Sequence, residues 1–231
     1  MVRTHGRALQ FVGRYWTQPF TIAKLIGGEE SAMPRLVIGS RNTKKLLELQ
    51  DLLGDLGIDL LELSGWPDIP DAEETGQTFE ENARLKATAY AKATGEWVLA
   101  EDSGLVVPAL KGRPGVYSAR YAGTHGDDAA NNRKLLAELA PLPDERRAAY
   151  YVCVAALAGP DGEVRAVAEG RCHGLIIKEP RGTGGFGYDP LFLVPEYHRT
   201  FGELSLRVKQ ALSHRARAVV QLRPEIRKIG A

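Results

Sequence analysis

Val98-Leu99-Ala100-Glu101-Asp102-Ser103-Gly104-Leu105 (VLAEDSGL, residues 98–105) is the stretch on which the reading of this chain turns. Val98, Leu99 and Ala100 read as the end of a buried strand. Two adjacent acids follow at once, and Ser103-Gly104 is expected to turn the chain. Successive strand side chains point to opposite faces, so one acid can meet a site while the other braces it or meets solvent. A carboxylate at a strand end can hold a metal ion or take a proton from water. A solvated surface turn satisfies the same spacing, so the choice rests on what the rest of the chain supplies.

Upstream, Leu36-Val37-Ile38 reads as a short buried strand, Gly39–Thr43 as a loop, and Lys44 onward as a helix with Leu46, Leu49, Leu52, Leu53 and Leu56 on one face. Asp59–Leu63 is a second strand. An acidic loop with Asp68, Asp71, Glu73 and Glu74 leads to Thr78, which with Glu81 makes a capping box for a helix over Phe79–Thr94 that stops at Gly95. Downstream, Lys111–Gly123 is a shaped loop, and Asp127 or Asp128 caps a helix to about Leu139. Tyr150–Leu157 and Val164–Ile177 are strands joined by the hairpin turn Gly159–Gly162. A glycine-rich loop, Gly182–Gly187, precedes an apolar strand, Leu191–Val194, and two helices close the chain, near Leu204–Leu212 and from about His214. Strands alternating with helices make this an α/β protein.

At 231 residues, with 44% hydrophobic and 26% charged residues, the chain suits one soluble domain with a sizeable core. A formal net charge of +1 leaves no global basic field, so no nucleic-acid partner is expected. No apolar run reaches the roughly 18 residues of a membrane span. The 2 cysteines, Cys153 and Cys172, lie in strand-like segments and read as reduced core residues, although a bridge between neighbouring strands is open. Residues 1–32 are set apart: Arg3, Arg7, Arg14 and Lys24 all precede Glu29, the first acid, and Met33 stands just before the first strand. The expectation is a poorly ordered extension, 1–32, before a single domain, 33–231; a transit-type leader is the other reading.

Four stretches could carry chemistry. Ser40-Arg41-Asn42-Thr43-Lys44-Lys45 joins a strand to a helix and puts two lysines in the first turn. There they oppose the helix dipole, at about 0.3–1 kcal/mol each when exposed, which makes sense if an anion docks on the free amides. Ser213 looks like an N-cap with His214, Arg215 and Arg217 crowding the next turn and Lys209 one short helix earlier. Gly182–Pro190 contains G-x-G-x-x-G, but Pro190 and a strand follow where a dinucleotide fingerprint needs a helix. It reads instead as a loop that closes on a ligand, with Phe186 able to stack on a flat ring. Glu73-Glu74, with Asp102, could hold a hard divalent cation. Each stretch also has a plain structural reading: solvated lysines, a satisfied histidine, a tight connection, a soluble acidic loop. Together they describe a ligand with a flat ring, several negative charges and a metal ion, as a nucleoside triphosphate has. No Walker loop is present.

Six segments then carry a family resemblance: SRNTKK (40–45), EETGQTFEENARLKA (73–87), AEDSGL (100–105), PGVYSARYAG (114–123), GTGGFGYDP (182–190) and SHRA (213–216). In that order they resemble the inosine triphosphate pyrophosphatase family, over Leu36 to about Val220. The resemblance implies an elongated mixed-sheet α/β fold with two lobes flanking a central cleft, a homodimer, dependence on Mg²⁺, and cleavage of non-standard purine triphosphates to monophosphate and pyrophosphate. It implies Asp102 as general base and Glu74, Asp102 and the adjacent Glu101 as metal-binding acids. Substrate contacts carry over to Ser40, Arg41, Asn42, Thr43, Lys44 and Lys45 of the phosphate loop and to Lys86 and Ser103. Phe186, Gly187, Tyr188 and Asp189 form the implied base-side loop, and Lys209, His214 and Arg215 complete the set. Glu101 stands where some members have a second Asp, and Leu206-Arg207-Val208 where the family often has acids. Base selectivity is expected from donors near Arg215 and from backbone N–H groups of the Phe186 loop. A pyrophosphatase for modified pyrimidine triphosphates and a catalytically silent nucleotide binder stay open beside this reading. The cytosol is the expected compartment.

Overall fold

The computed structural model describes residues 33–229; the expected extension 1–32 lies outside the described residues. A seven-stranded mixed sheet has the order β2-β1-β3-β4-β5-β6-β7. Its strands are β1 (Arg35–Ile38), β2 (Asp59–Glu62), β3 (Trp97–Val106), β4 (Ala148–Ala158), β5 (Val164–Ile176), β6 (Phe192–Val194) and β7 (Arg199–Thr200). β1 pairs in parallel with β2 and β3, and every later pair is antiparallel. The helices are α1 (Thr43–Leu53), α2 (Phe79–Thr94), α3 (Asp128–Leu139), α4 (Leu206–Leu212) and α5 (His214–Ile226).

The local chemistry behaves as its residue types dictate. Thr78 and Glu81 form the reciprocal capping box of α2, and Gly95 ends that helix in the left-handed conformation at φ 70°. Asp127 caps α3, and Ser213 caps α5 by accepting from the Ala216 N–H. Cys153 and Cys172 are buried and free, paired in register with Gly170 and Tyr151 rather than with each other.

Alternation along the strands sorts the helices onto the two faces of the sheet. Leu36, Ile38 and Leu99 pack with Leu46, Leu49 and Leu53 of α1 and Ala218, Val219 and Leu222 of α5. Val37, Val98 and Ala100 pack on the other face against Ala83, Ala87, Tyr90 and Ala91 of α2. A further core, from Leu105, Tyr151, Cys172 and Phe192, lies at the far ends of β3, β4 and β5 against Leu135 and Leu139 of α3.

One expectation fails here. Ser103-Gly104 does not turn the chain: β3 runs on to Val106, paired with β4 as far as Val106↔Tyr150. Gly104 serves a close approach instead. A Cβ there would lie 2.4 Å from Ser118 Oγ and 2.6 Å from the Gly115 carbonyl oxygen, so only glycine lets the 115–120 turn lie on the strand.

These features place the site. β1 ends at Ile38, opposite Leu99, so Glu101 and Asp102 emerge just beyond the carboxyl end of a parallel strand. The chain leaves β1 towards β2 on one side and returns to β3 on the other. That reversal is the crevice where open α/β sheets bind ligands.

Candidate active site

Glu101 and Asp102 are both almost fully buried, at 3% and 6% exposure, and face opposite sides of the sheet. Asp102 points to α2. Its Oδ1 accepts from Lys86 Nζ at 3.0 Å and its Oδ2 from Asn82 Nδ2 at 3.2 Å. Lys86 Nζ also donates to Glu74 Oε1 at 2.8 Å, so two carboxylate oxygens converge on one ammonium. Burial pushes the Asp102 carboxyl above its usual range in spite of Lys86. Burial would lower Lys86, but the two acids facing it outweigh that and hold it above its usual value.

Glu101 points to α5. Arg215 Nε and Nη2 donate to its two oxygens, each at 3.1 Å, Lys45 Nζ lies 2.8 Å from Oε1, and Cys153 Sγ donates to Oε2 at 2.8 Å. Burial alone would raise Glu101, yet Arg215 and then Lys45 hold it well below the usual carboxylate range. Arg215 also pairs with Glu48, which accepts from Lys209 Nζ at 2.9 Å, and Lys209 reaches Asp189 Oδ2 at 2.7 Å. Glu101, Arg215, Glu48, Lys209 and Asp189 thus form one alternating buried charge network.

Glu101, expected beside Glu74 and Asp102 as a metal ligand, lines the same recess as they do but has different partners. Strand alternation turns it to the other face, where cations engage both of its oxygens. Among the described residues no group of three or more His, Cys, Asp or Glu side chains is gathered as a metal shell. The pair that does converge, Glu74 and Asp102, offers hard oxygen donors around a point already holding positive charge, a donor set that fits a divalent cation such as Mg²⁺.

Two adjoining recesses open over these groups. The larger, about 460 Å³, is lined by Ser40, Asn42, Lys45, Glu74, Lys86 and Asp102 among others. The smaller, about 120 Å³, shares Asn42, Lys45 and Ser103 with the first and is closed by Phe186–Asp189, Lys209, His214 and Arg215. Lys209 therefore belongs to the recess with the aromatic ring and not to the acidic one. Its ammonium stands 4.7 Å from the Phe186 ring centroid.

The phosphate-loop residues divide by what they touch. Asn42 Oδ1 caps α1 by accepting from the Lys44 and Lys45 N–H groups at 3.0 and 3.3 Å. Ser40 Oγ accepts from the Asn42 N–H at 3.2 Å. Arg41 turns to the acidic loop, donating to Asp71 Oδ1 at 3.0 Å and the Ile69 carbonyl at 2.6 Å. It holds in place the loop that carries Glu74. Thr43 begins α1, and Lys44 is exposed, 3.9 Å from Asp128.

The base-side loop is held from several directions. Gly187 N–H donates to Asp128 Oδ2 at 2.8 Å and its carbonyl accepts from Asn132 Nδ2 at 2.9 Å. Phe186 N–H donates to Asp189 Oδ2 at 2.8 Å, and the Tyr188 hydroxyl donates to the Ser118 carbonyl at 2.9 Å. The N–H groups of Phe186 and Gly187 are therefore already engaged. To read a ring carbonyl they would have to share or release those acceptors.

His214 stacks on Tyr151, with centroids 4.8 Å apart and planes 10° apart, and its Nδ1 is buried without a protein partner. Burial, with Arg215 next to it, pushes its pKa well below 6.5. The ring should therefore be neutral throughout the physiological range. An NMR titration of the imidazole resonances checks this; a midpoint at or above 6.5 would contradict it.

Asn82, Glu48 and Asn132 escaped the sequence reading, and Asp128, read there only as a possible helix cap, holds the Gly187 N–H instead. Glu48 left no legible trace: it is buried in α1 but, at about 100° per residue, falls outside the arc of Leu46, Leu49 and Leu53.

A model of the Ham1 family matches residues 36–225. This chain belongs to the Ham1 family. Two relatives in that family are a dITP/XTP pyrophosphatase of Rhodopirellula baltica and one of Streptomyces coelicolor. The first is 56% identical over 194 residues, 84% of this chain and 93% of that protein. The second is 49% identical over 199 residues, 85% and 99%. Among solved structures, a HAM1 protein from Coxiella burnetii superposes with a TM-score of 0.77 at 44% identity, covering 84% of this chain and 98% of the other. The nucleoside-triphosphatase, dITP/XTP pyrophosphatase, of Mycobacterium abscessus gives 0.68 at 48% identity, covering 81% and 98%. The Ham1 relationship bears out the expected family and its mixed α/β fold.

Proposed function

We propose that this Ham1 protein hydrolyses the non-standard purine nucleoside triphosphates dITP, ITP, XTP and dXTP to the monophosphate and pyrophosphate, clearing them from the nucleotide pool. The observation that carries the reading is the Glu74–Lys86–Asp102 cluster, its lysine and aspartate buried and its glutamate half-buried, opening on a recess that adjoins the Phe186 pocket. That arrangement suits a triphosphate at one end and a flat base at the other. Relatives about half identical to this chain carry the name dITP/XTP pyrophosphatase, which supports it.

In this reading Asp102 accepts a proton from the water whose oxygen attacks the α-phosphorus, while the bond from that phosphorus to the bridging oxygen breaks and pyrophosphate leaves. Each Asp102 oxygen has one hydrogen-bond partner, which leaves lone-pair capacity for the water. Lys45 and Lys86 bring positive charge to the phosphates; phosphoryl transfer depends chiefly on such positioning and neutralisation. Glu74 and Asp102 would hold Mg²⁺, which when bound neutralises phosphate charge and polarises the oxygens it touches. Phe186 stacks on the base, and neutral His214 and Arg215 face the same recess as its polar readers. A homodimer over residues 33–231 working in the cytoplasm completes the proposal. Among the described residues no helix is long and apolar enough to cross a membrane.

The test is a panel of ITP, dITP, XTP, GTP, ATP and modified pyrimidine triphosphates with Mg²⁺, with the monophosphate and pyrophosphate identified directly. A site that pairs the 6-carbonyl rejects the 6-amine because a buried polar group is left unmatched, an effect that reaches about 10⁴–10⁵ in kcat/KM in favourable cases. Expected is a clear preference for ITP, dITP and XTP over ATP and pyrimidines. Equal kcat/KM across the panel would overturn the proposal.

A further inference from the structure

Asn82 lies on α2 at 1% exposure and lines neither recess. Its side chain spans the two acids of the proposed reaction centre. Oδ1 accepts from the Gly76 N–H at 2.8 Å, and Nδ2 donates to Asp102 Oδ2 at 3.2 Å. A backbone N–H can only donate and an ionised carboxylate only accept, so the amide has a single self-consistent orientation. Gly76 is two residues beyond Glu74 in the acidic loop. One buried amide therefore grips Asp102 directly and the Glu74 loop through its backbone.

Gly76 is shaped for this contact. A Cβ at that position would lie 2.6 Å from Asn82 Oδ1 and 2.6 Å from Glu81 Cβ. Any side chain there pushes the amide away from the loop. The capping box adds to the same anchorage, since Glu81 Oε2 accepts from the Gln77 and Thr78 N–H groups at 2.6 and 3.1 Å. The acidic loop is thus tied to the start of α2 at three successive backbone N–H groups, and only the first of these ties continues to Asp102.

We propose that Asn82 is a positioning residue: it fixes the rotation of the Asp102 carboxylate and sets the spacing between Asp102 and Glu74. The inference rests on the reading of Asp102 as proton acceptor in triphosphate hydrolysis. With Oδ2 held by Asn82 and Oδ1 by Lys86, the carboxylate plane is determined and its remaining lone pairs keep one direction. Because Asn82 does not line the recesses, its loss acts on turnover and not on substrate capture. Outer partners of this kind typically change activity by about 10–100-fold.

Three variants test it. Asn82→Asp keeps the shape and the acceptor for Gly76 but sets a second carboxylate against Asp102. Gly76→Ala displaces the Asn82 amide from the loop without replacing either Asn82 or Asp102. Asn82→Gln keeps the chemistry at a different reach. Each is measured with dITP and Mg²⁺ for kcat and KM, and by calorimetry for binding of the non-hydrolysable α,β-imido analogue of dITP. Circular dichroism verifies folding. The expected result for Asn82→Asp and Gly76→Ala is a fall in kcat of about 10–100-fold, with KM and analogue Kd within about threefold of wild type. Asn82→Gln should lose less than Asn82→Asp. Overturning results are a kcat within about twofold of wild type in the folded variants, or a rise in KM and analogue Kd at unchanged kcat. If Asn82→Asp does not fold, Gly76→Ala carries the same comparison. Wild-type protein that releases no pyrophosphate from dITP defeats the functional reading, whereas active wild type with unaffected variants defeats the Asn82 assignment alone.

Discussion

Asp102→Asn is expected to lower kcat for dITP by about 10²–10⁴-fold, the usual contribution of a positioned general base. The replacement is nearly isosteric, but a neutral amide cannot take up the proton that the attacking water must lose. Lys45 and the Phe186 recess are untouched and Lys86 keeps Glu74 as its partner, so the α,β-imido analogue of dITP should still bind at saturating Mg²⁺. A loss confined to kcat, with kcat/KM falling in parallel, marks an interaction made in the transition state. Near wild-type turnover with binding retained would remove Asp102 from the role. A pH titration supplies a second arm. Burial lifts the Asp102 carboxyl above 3.8, so as pH falls the group takes up its proton, and loses its basic form, earlier than an ordinary aspartate would. In a titration of the metal-free protein the Asp102 carboxyl should therefore show a midpoint displaced upward from 3.8.

How far such a site can be read from residues depends on which interactions are local. Leu46, Leu49, Leu52 and Leu53 of α1, the Thr78–Glu81 capping box, the Gly159–Gly162 hairpin and the Ser213 cap follow from contacts within a few positions and appear where periodicity and cap chemistry put them; Leu56 alone falls beyond the helix end. The opposite facing of Glu101 and Asp102 also follows from strand geometry alone. Which acid meets Lys86 and which meets Arg215 does not, because it depends on α2 and α5 covering different faces of the sheet. Lys209 and Arg215 looked like free cations awaiting a polyanion. They are instead nearly sealed from solvent, and a buried charge is costly without a partner, so Glu48, Asp189 and Glu101 must meet them. Glu48 and Arg215 are 167 positions apart, a pairing that no local pattern announces. Gly104 misled for a related reason: glycine marks close approach as readily as a turn, and the approaching atoms belong to the 115–120 segment.

Removal of Glu101 gives the second large expected effect, on stability. Glu101→Ala leaves the Arg215 guanidinium, 1% exposed, with Glu48 as its one remaining carboxylate partner among the described residues. Breaking one side of a buried ion pair typically costs about 3–5 kcal/mol. For a domain of this size that corresponds to a fall in Tm of roughly 6–20 °C. The pH dependence has a definite sign. The folded-state carboxyl is held well below 4.5, so its contribution is complete above 4.5 and is lost as pH falls through the lower folded value. Urea melts at descending pH should therefore show wild-type stability dropping below about pH 4.5, with a flatter curve for the variant in that window. The same variant separates brace from ligand. A Glu101 that only orients Arg215 and Lys45 leaves the Mg²⁺ concentration for half-maximal activity within about threefold of wild type, even as the fold weakens. A shift of about tenfold or more, the scale on which lost metal-site contacts act, would place Glu101 in the metal-binding set. Its two oxygens, each already bonded to Arg215, argue for the brace.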